Sequence, residues 1–381
     1  MELRANWSYP NKIIFGVGRV SELATQCKAI GMTRPLLVTD RALSTLPITV
    51  DALSSLEKAG FGCALFSEVD ANPNEANMRA GLEVYRAGRH DGVIAFGGGS
   101  ALDLGKMIAL MIDQPVNVWD LEDVDDWWTR ANPDTIAPII AVPTTAGTGS
   151  EVGRAGVLTD SASHRKKIIF HPKLLPTVTI CDPALTIGMP ASITAGTGMD
   201  AFAHCLEAYC SPHYHPMSNG IALEGMRLVL ENLPRVYTTP DDLEARAHMM
   251  SAAAMGAVAF QKGLGAIHSL SHPIGAMYNT HHGTTNAVVM PMVLQFNRPV
   301  IEERITRAAG YLGIANGFDG FLARVMELRE FLRIPPSLRA MGVDIQNLDE
   351  VTAMALEDPS CGGNPTPMTH ENTRALLEAC L

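Results

Sequence analysis

The sequence predicts an α/β region built on a parallel sheet, followed by an all-α region. Three observations carry this. From Lys12 to about Pro183, short apolar runs alternate with helix-period segments. After Pro190 the strand signal fades and helical spacing takes over. The stretch between them, Asp182–Pro190 (DPALTIGMP), is rich in turn formers. It sets the expected domains at residues 1–187 and 188–381.

The runs Pro35–Thr39, Cys63–Val69, Gly92–Phe96, Pro138–Val142 and Thr177–Cys181 are each too short for a helix. Gly, Pro or Asp bounds each one, so they read as buried strands. Val50–Ala59, Glu75–Ala87 and Ala101–Ile112 carry helical spacing between them. Such alternation gives a parallel sheet with helices on both faces. In the second half, Ala191–Tyr209, Met217–Leu233, Leu243–Phe260, Ile267–Met277 and Val300–Leu312 read as helices punctuated by Pro and Gly. Asp120–Trp128 (DLEDVDDWW) reads as an acidic surface loop with two packed Trp.

Lys and Arg number 29 against 40 Asp and Glu, a net charge of −11. That field repels polyanions and argues against a nucleic-acid partner. Apolar residues at 47% and charged residues at 18% are close to the globular average, which excludes a disordered chain. The seven cysteines are odd in number and scattered, with no CxxC pair. This argues against a disulfide framework or a cysteine zinc site, and for reduced thiols in a cytoplasmic protein. The stretch MELRANWSYPNK lacks the apolar core of a signal peptide. The longest apolar stretch, about Met250 to Phe260, falls short of the ~20 residues that span a bilayer.

Two glycine-rich turns point to a nucleotide. FGGGSALDLGK (Phe96–Lys106) follows a strand and opens a helix. Its glycines permit close backbone approach, and the helix start offers unpaired N–H groups to a pyrophosphate. PTTAGTGSE (Pro143–Glu151) also follows a strand, so the two turns are expected to converge on one crevice. Asp40 ends the first of the parallel strands, in LLVTD. A carboxylate there accepts from ribose hydroxyls and repels a 2′-phosphate, which favours NAD over NADP. In the usual fingerprint the glycines precede the acid; here the acid comes first, so the fold is a Rossmann-like variant.

The helical half carries ligand-type side chains in apolar surroundings. Asp200 and His204 in GMDAFAHCLEAY are four apart and share a helix face. GAIHSLSHPIGAMYNTHHG supplies His268 and His272, again four apart, then His281 and His282 in an expected short loop before Gly283. Such groups in apolar helices are costly unless paired or metal-bound. A carboxylate with imidazoles suits a divalent transition metal such as Zn²⁺ or Fe²⁺. His213 and His215 sit in a polar loop, and His90, His164, His171, His248 and His370 have no clustered partners in sequence.

At these residues the chain resembles the iron-containing (group III) alcohol dehydrogenase family. The resemblance runs from YPNKIIFGVGRVSEL (Tyr9–Leu23) through GGGSALDLGK, PTTAGTGSEV, DPALT, GMDAFAHCLEAY and the Gly265–Gly283 segment to CGGNPTP (Cys361–Pro367). It implies an N-terminal α/β dinucleotide-binding domain and a C-terminal helical domain in a dehydroquinate synthase-like architecture, with the metal in the cleft between them. It implies Asp200, His204, His268 and His282 as metal ligands, Fe²⁺ being the family's expected ion. His272 matches a histidine off the metal and near the nicotinamide, and Asp103 an acid near the nicotinamide and substrate end. His281 stands where the family usually has another residue. Asp40, Asn72, Gly98, Gly99, Ser100, Thr144, Thr145, Thr148, Lys166 and Leu185 match NAD-contacting positions. The family also implies a homodimer or larger homo-oligomer. NPTP (Asn364–Pro367) replaces the more usual Asn-Pro-Arg run, and the Trp127–Trp128 loop is particular to this chain.

The expected reaction is metal-assisted hydride transfer between a short-chain alcohol or diol and NAD, with aldehyde or ketone on the other side. His272 is expected to shuttle the proton. Three rivals stand beside it: an NAD-using synthase or lyase on the same scaffold, a metal-independent maleylacetate-type reductase, and a non-catalytic NAD-binding protein. The full Asp/His/His/His set argues against all three.

Overall fold

The computed structural model describes residue 9 and residues 11–163, 165–344 and 346–381. His164 and most of the amino-terminal stretch lie outside the described residues. The chain forms two compact units. One comprises residues 11–145 with Gly149–Gly188; the other comprises Tyr9, Ala146–Thr148 and Met189–Leu381.

The first unit is a parallel six-stranded sheet in the order β1-β8-β5-β4-β2-β3. The chain runs β1 (Lys12–Phe15), α1 (Leu23–Ala29), β2 (Pro35–Val38), α2 (Pro47–Lys58), β3 (Ala64–Phe66), α3 (Glu75–Ala87), β4 (Gly92–Gly97) and α4 (Gly99–Leu110). It continues through β5 (Ile139–Pro143), a β6 (Ala155–Asp160) and β7 (Arg165–Phe170) hairpin, and β8 (Val178–Cys181). Alternate residues of each central strand enter separate cores. Leu36, Val38, Val93, Ala95, Ile139 and Ala141 pack with helices α3 and α4. Leu37, Ile94, Phe96, Ile140 and Val142 pack with α1 and α2. Both faces are covered, so the strands read as continuous apolar runs.

The order of strands reverses between β2 and β4: β3 lies on one side of this pair, and β5, β8 and β1 on the other. Ligands of open α/β sheets bind at the carboxyl ends of strands at such a switch point.

The second unit holds α5 (Ala191–Cys210), α6 (Pro216–Thr238), α7 (Leu243–Ala259), α8 (Ala266–Tyr278), α9 (His282–Tyr311), α10 (Gly317–Phe331), α11 (Leu348–Glu357) and α12 (His370–Cys380). No helix among the described residues is long and apolar enough to cross a membrane.

Several expectations are corrected. The strand β1 precedes LLVTD, so Asp40 follows the second strand, not the first. Pairing of β1 with β8, far along the chain, carries that strand, and its own half-exposed residues gave no buried run. The β6–β7 hairpin was not expected; polar Ser161–Ser163 follow β6, and the segment between the strands has no Asn-Gly or Asp-Gly signal. His282 opens a helix and His281 is its N-cap, whereas a loop was expected there. Helix α9 runs for 30 residues through Pro291 and Pro299, which had masked the part before Val300. Packing against α5 and α10 carries it across both prolines. The DLEDVDDWW segment contains short helical turns, and Trp128 packs edge-on against Phe170 and His171.

Candidate metal centre and dinucleotide site

The metal-type side chains converge inside the helical unit. Asp200 and His204 lie one turn apart on α5, His268 on the first turn of α8, and His282 at the start of α9. Asp200 Oδ1 stands 3.6 Å from His204 Nε2, 3.6 Å from His268 Nε2 and 3.5 Å from His282 Nε2. Ligand atoms around a tetrahedral ion bonded at about 2.1 Å stand about 3.4 Å apart. The ligand atoms of Asp200, His204 and His268, all within 4.8 Å of one another, therefore fit a divalent transition metal, and His282 Nε2 stands beside Asp200. Asp200, His204 and His268 are buried.

Glycine makes the approach possible. A Cβ on Gly283 would sit 2.1 Å from the Gly196 carbonyl oxygen and 2.9 Å from Asp200 Cβ. Only a residue without a side chain lets α9 bring His282 this close to α5.

Supporting groups hold the rings. Glu207 accepts from His268 Nδ1, and its other oxygen accepts the Ile267 amide at 2.7 Å. Asn364, from the CGGNPTP run, accepts the Ala266 amide at 3.1 Å. Gly265, the N-cap of α8, has no side chain to do either. Ser271 Oγ lies 3.3 Å from His282 Nδ1. His272 stays off the metal-type cluster; its Nδ1 pairs with Asp358 Oδ2 at 2.8 Å, and its ring stacks on His282. His281 caps α9 at Thr284.

Burial pushes the Asp200 carboxyl up, but His204, His282 and His268 outweigh it and hold the group below the usual carboxylate range. Burial takes His204 down to about 4. It also opposes charge on His268, yet Glu207 and Asp200 prevail and lift that ring to about 10. A cation thus competes with a proton at His268.

In the sheet unit, Asp40 follows β2, the Gly98–Ser100 turn follows β4 and Thr144–Thr145 follow β5, all adjacent strands. A Cβ on Gly98 would sit 3.2 Å from Thr145. Gly98 is the N-cap of α4 and supplies no side-chain acceptor, so the first-turn amides fit an anion. Ser100 Oγ donates to Ala71 O at 2.7 Å, tying the loop that carries Asn72 to the same turn. Asp40 Oδ1 accepts the Leu43 amide at 3.0 Å. Lys166 lies on β7 opposite Thr159, and the Thr159 amide donates to Pro73 O at 2.8 Å. Leu185 is buried in the turn after β8, whereas Thr148 belongs to the helical unit.

Asp103 is tied into the sheet unit by its own hydrogen bonds. Its oxygens accept Ser150 Oγ at 2.6 Å and the Val157 amide at 3.0 Å. Beside it Lys106 is fully buried and donates to the carbonyls of Ser150, Gly153 and Ala155 at 2.6, 3.1 and 2.8 Å. Burial pushes Lys106 down to about 8, and the neighbouring buried Glu151 up to about 7. Sequence reasoning missed the buried titratable groups Lys106 and Glu151, and also Glu207, Asp358 and Asn286. Glu207 and Asn286 each carried a faint signal, lying three and four residues beyond a histidine on the same helix.

A carboxylate-and-imidazole cluster in a helical unit, and a glycine turn at the switch point of a parallel sheet in the other unit, are each what a metal-assisted, dinucleotide-linked oxidoreductase needs. Comparison with known families agrees. Residues 10–183 match the family model described as iron-containing alcohol dehydrogenase, and residues 194–381 match its C-terminal counterpart. The chain belongs to the iron-containing alcohol dehydrogenase family. It is 40% identical to the 4-hydroxybutyrate dehydrogenase of Cupriavidus necator, over 97% of this chain and 98% of that one. It is 32% identical to the NAD-dependent methanol dehydrogenase of Bacillus methanolicus, over 99% and 100% of the two chains. The crystal structure of a 1,3-propanediol oxidoreductase superposes with a TM-score of 0.94 at 33% identity, covering 99% and 100%. The chain is an oxidoreductase with an α/β unit and a helical unit.

Proposed function

We propose that this enzyme transfers hydride between a short-chain alcohol or diol and NAD, with Fe²⁺ held by Asp200, His204, His268 and His282. Zinc suits the same donors. The carrying observation is the convergence of Asp200 Oδ1 with three imidazole Nε2 atoms at 3.5 to 3.6 Å. When bound, the cation supplies Lewis-acid polarisation of the substrate hydroxyl, and the nicotinamide supplies the hydride acceptor.

The remaining steps belong to the protein's own residues. The Asp358 carboxylate, held below its usual range against burial by His272, accepts the Nδ1–H of that ring. His272 Nε2 then carries the lone pair and takes the hydroxyl proton. The amides at Gly99 and Ser100 receive the pyrophosphate, and Asp40 receives the adenosine ribose. Residues 1–187 form the NAD-binding part and 188–381 the metal-binding part. Asp103, the acid that the family resemblance puts near the nicotinamide and substrate end, also fastens the loop that carries Ser150. The family resemblance supports a homodimer or larger assembly, and the cysteine usage supports a cytoplasmic setting.

The relatives' names set the substrate panel: primary alcohols, α,ω-diols and ω-hydroxy acids of up to about four carbons, methanol included, each with NAD and with NADP. NADH formation from at least one class supports the proposal. Conversion with no net NADH moves the chain to the synthase branch.

A further inference from the structure

Asn286 lies one turn beyond His282 on α9, fully buried. Its Nδ2 donates to Asp200 Oδ1 at 2.8 Å and stands 3.3 Å from His268 Nε2 and 3.2 Å from His282 Nε2. One amide nitrogen thus caps the face formed by three of the four metal-type atoms. Its Oδ1 is buried with no hydrogen-bond partner among the described residues. A buried amide satisfied at one end only is unusual, since buried polar atoms nearly always find partners.

Resting on the proposed metal site, we propose that Asn286 is a further positioning residue of that site. A carboxylate oxygen has two lone pairs. The Asn286 amide takes one and turns the other toward the cation, fixing the direction of Asp200 as outer-sphere donors do. The same amide fills the Asp200–His268–His282 face.

The test uses the full-length protein, Co²⁺ as the probe, and the variants N286A and N286S. The serine hydroxyl is too short to reach Asp200 and serves where alanine does not fold. Intact NAD binding and helical circular dichroism establish that a variant is folded. Wild type should bind one Co²⁺ with an intense visible band; failure of that step overturns the metal-site reading itself. Given that step, each folded variant should bind Co²⁺ about 10- to 100-fold more weakly. Its visible band should weaken as the opened face admits water and raises the coordination number. A folded variant with wild-type Co²⁺ affinity and an unchanged band would overturn the role of Asn286 while leaving the metal site in place.

Discussion

Glu207 joins two helices at the metal-type cluster: its carboxylate accepts from His268 Nδ1 while the Ile267 amide donates to its second oxygen. It sits three residues after His204, so one turn of α5 carries both a ligand-type ring and the support for another. The support fixes which nitrogen of His268 faces Asp200.

Glu207→Gln keeps the shape and removes the charge. Zn²⁺ affinity should fall by about 10- to 100-fold, read by competition with a chromophoric chelator. Unchanged affinity would show that Glu207 only anchors the start of α8.

Glu151 gives the sheet unit a pH-dependent stability. Its carboxyl is raised from 4.5 to about 7 by burial. Between those values the folded state holds a proton that the unfolded state has lost. Stability present below pH 4.5 is therefore lost as pH rises through about 7, at up to roughly 1.4 kcal/mol per pH unit. Urea midpoints of E151Q should lack this fall. Parallel profiles for variant and wild type would contradict it.

Lys106 behaves with the opposite sign. Burial lowers it from 10.5 to about 8, so its contribution is present above 10.5 and lost as pH falls toward 8. Lys106→Met removes the ammonium from three carbonyls and leaves Asp103 buried without its cation. Breaking such a buried network costs about 3–5 kcal/mol. Urea unfolding should register that loss, with NAD affinity falling too because the loop after Thr145 loses its tether.

Asp40 should decide the cofactor. Asp40→Ser removes the charge that repels a 2′-phosphate and should raise the ratio of NADP to NAD kcat/KM by tenfold or more, about 1.4 kcal/mol. An unchanged ratio would return Asp40 to the turn role its bond to Leu43 already gives it.

The fold class was legible because PLLVT, GVIAF and PIIAV are buried on both faces, and such strands announce themselves as apolar runs. The hairpin was not, because RKKIIF is mostly half-buried and its cross-strand partner lies beyond a polar turn. The ligand-type cluster was legible where it repeats at helical spacing, as in Asp200–His204; His268–His272 has the same spacing, yet only His268 joins the cluster. Its supports were not. Glu207 meets His268 across 61 residues, and Asp358 meets His272 across 86. No local pattern marks an acid whose partner arrives by tertiary packing. The partners of Asp103 were hidden for the same reason: Ser150 and Val157 reach it from 47 and 54 residues along the chain.

Elemental analysis of anaerobically purified protein, with NADH production followed before and after chelation and after metal return, bears most directly on the central claim. One Fe²⁺ or Zn²⁺ per chain is expected, with turnover lost on chelation and restored by the ion, and with His268→Ala retaining NAD but neither metal nor turnover. Full activity after complete metal removal, or in a metal-free His268→Ala protein, would contradict it and leave the convergence on Asp200 without a chemical role.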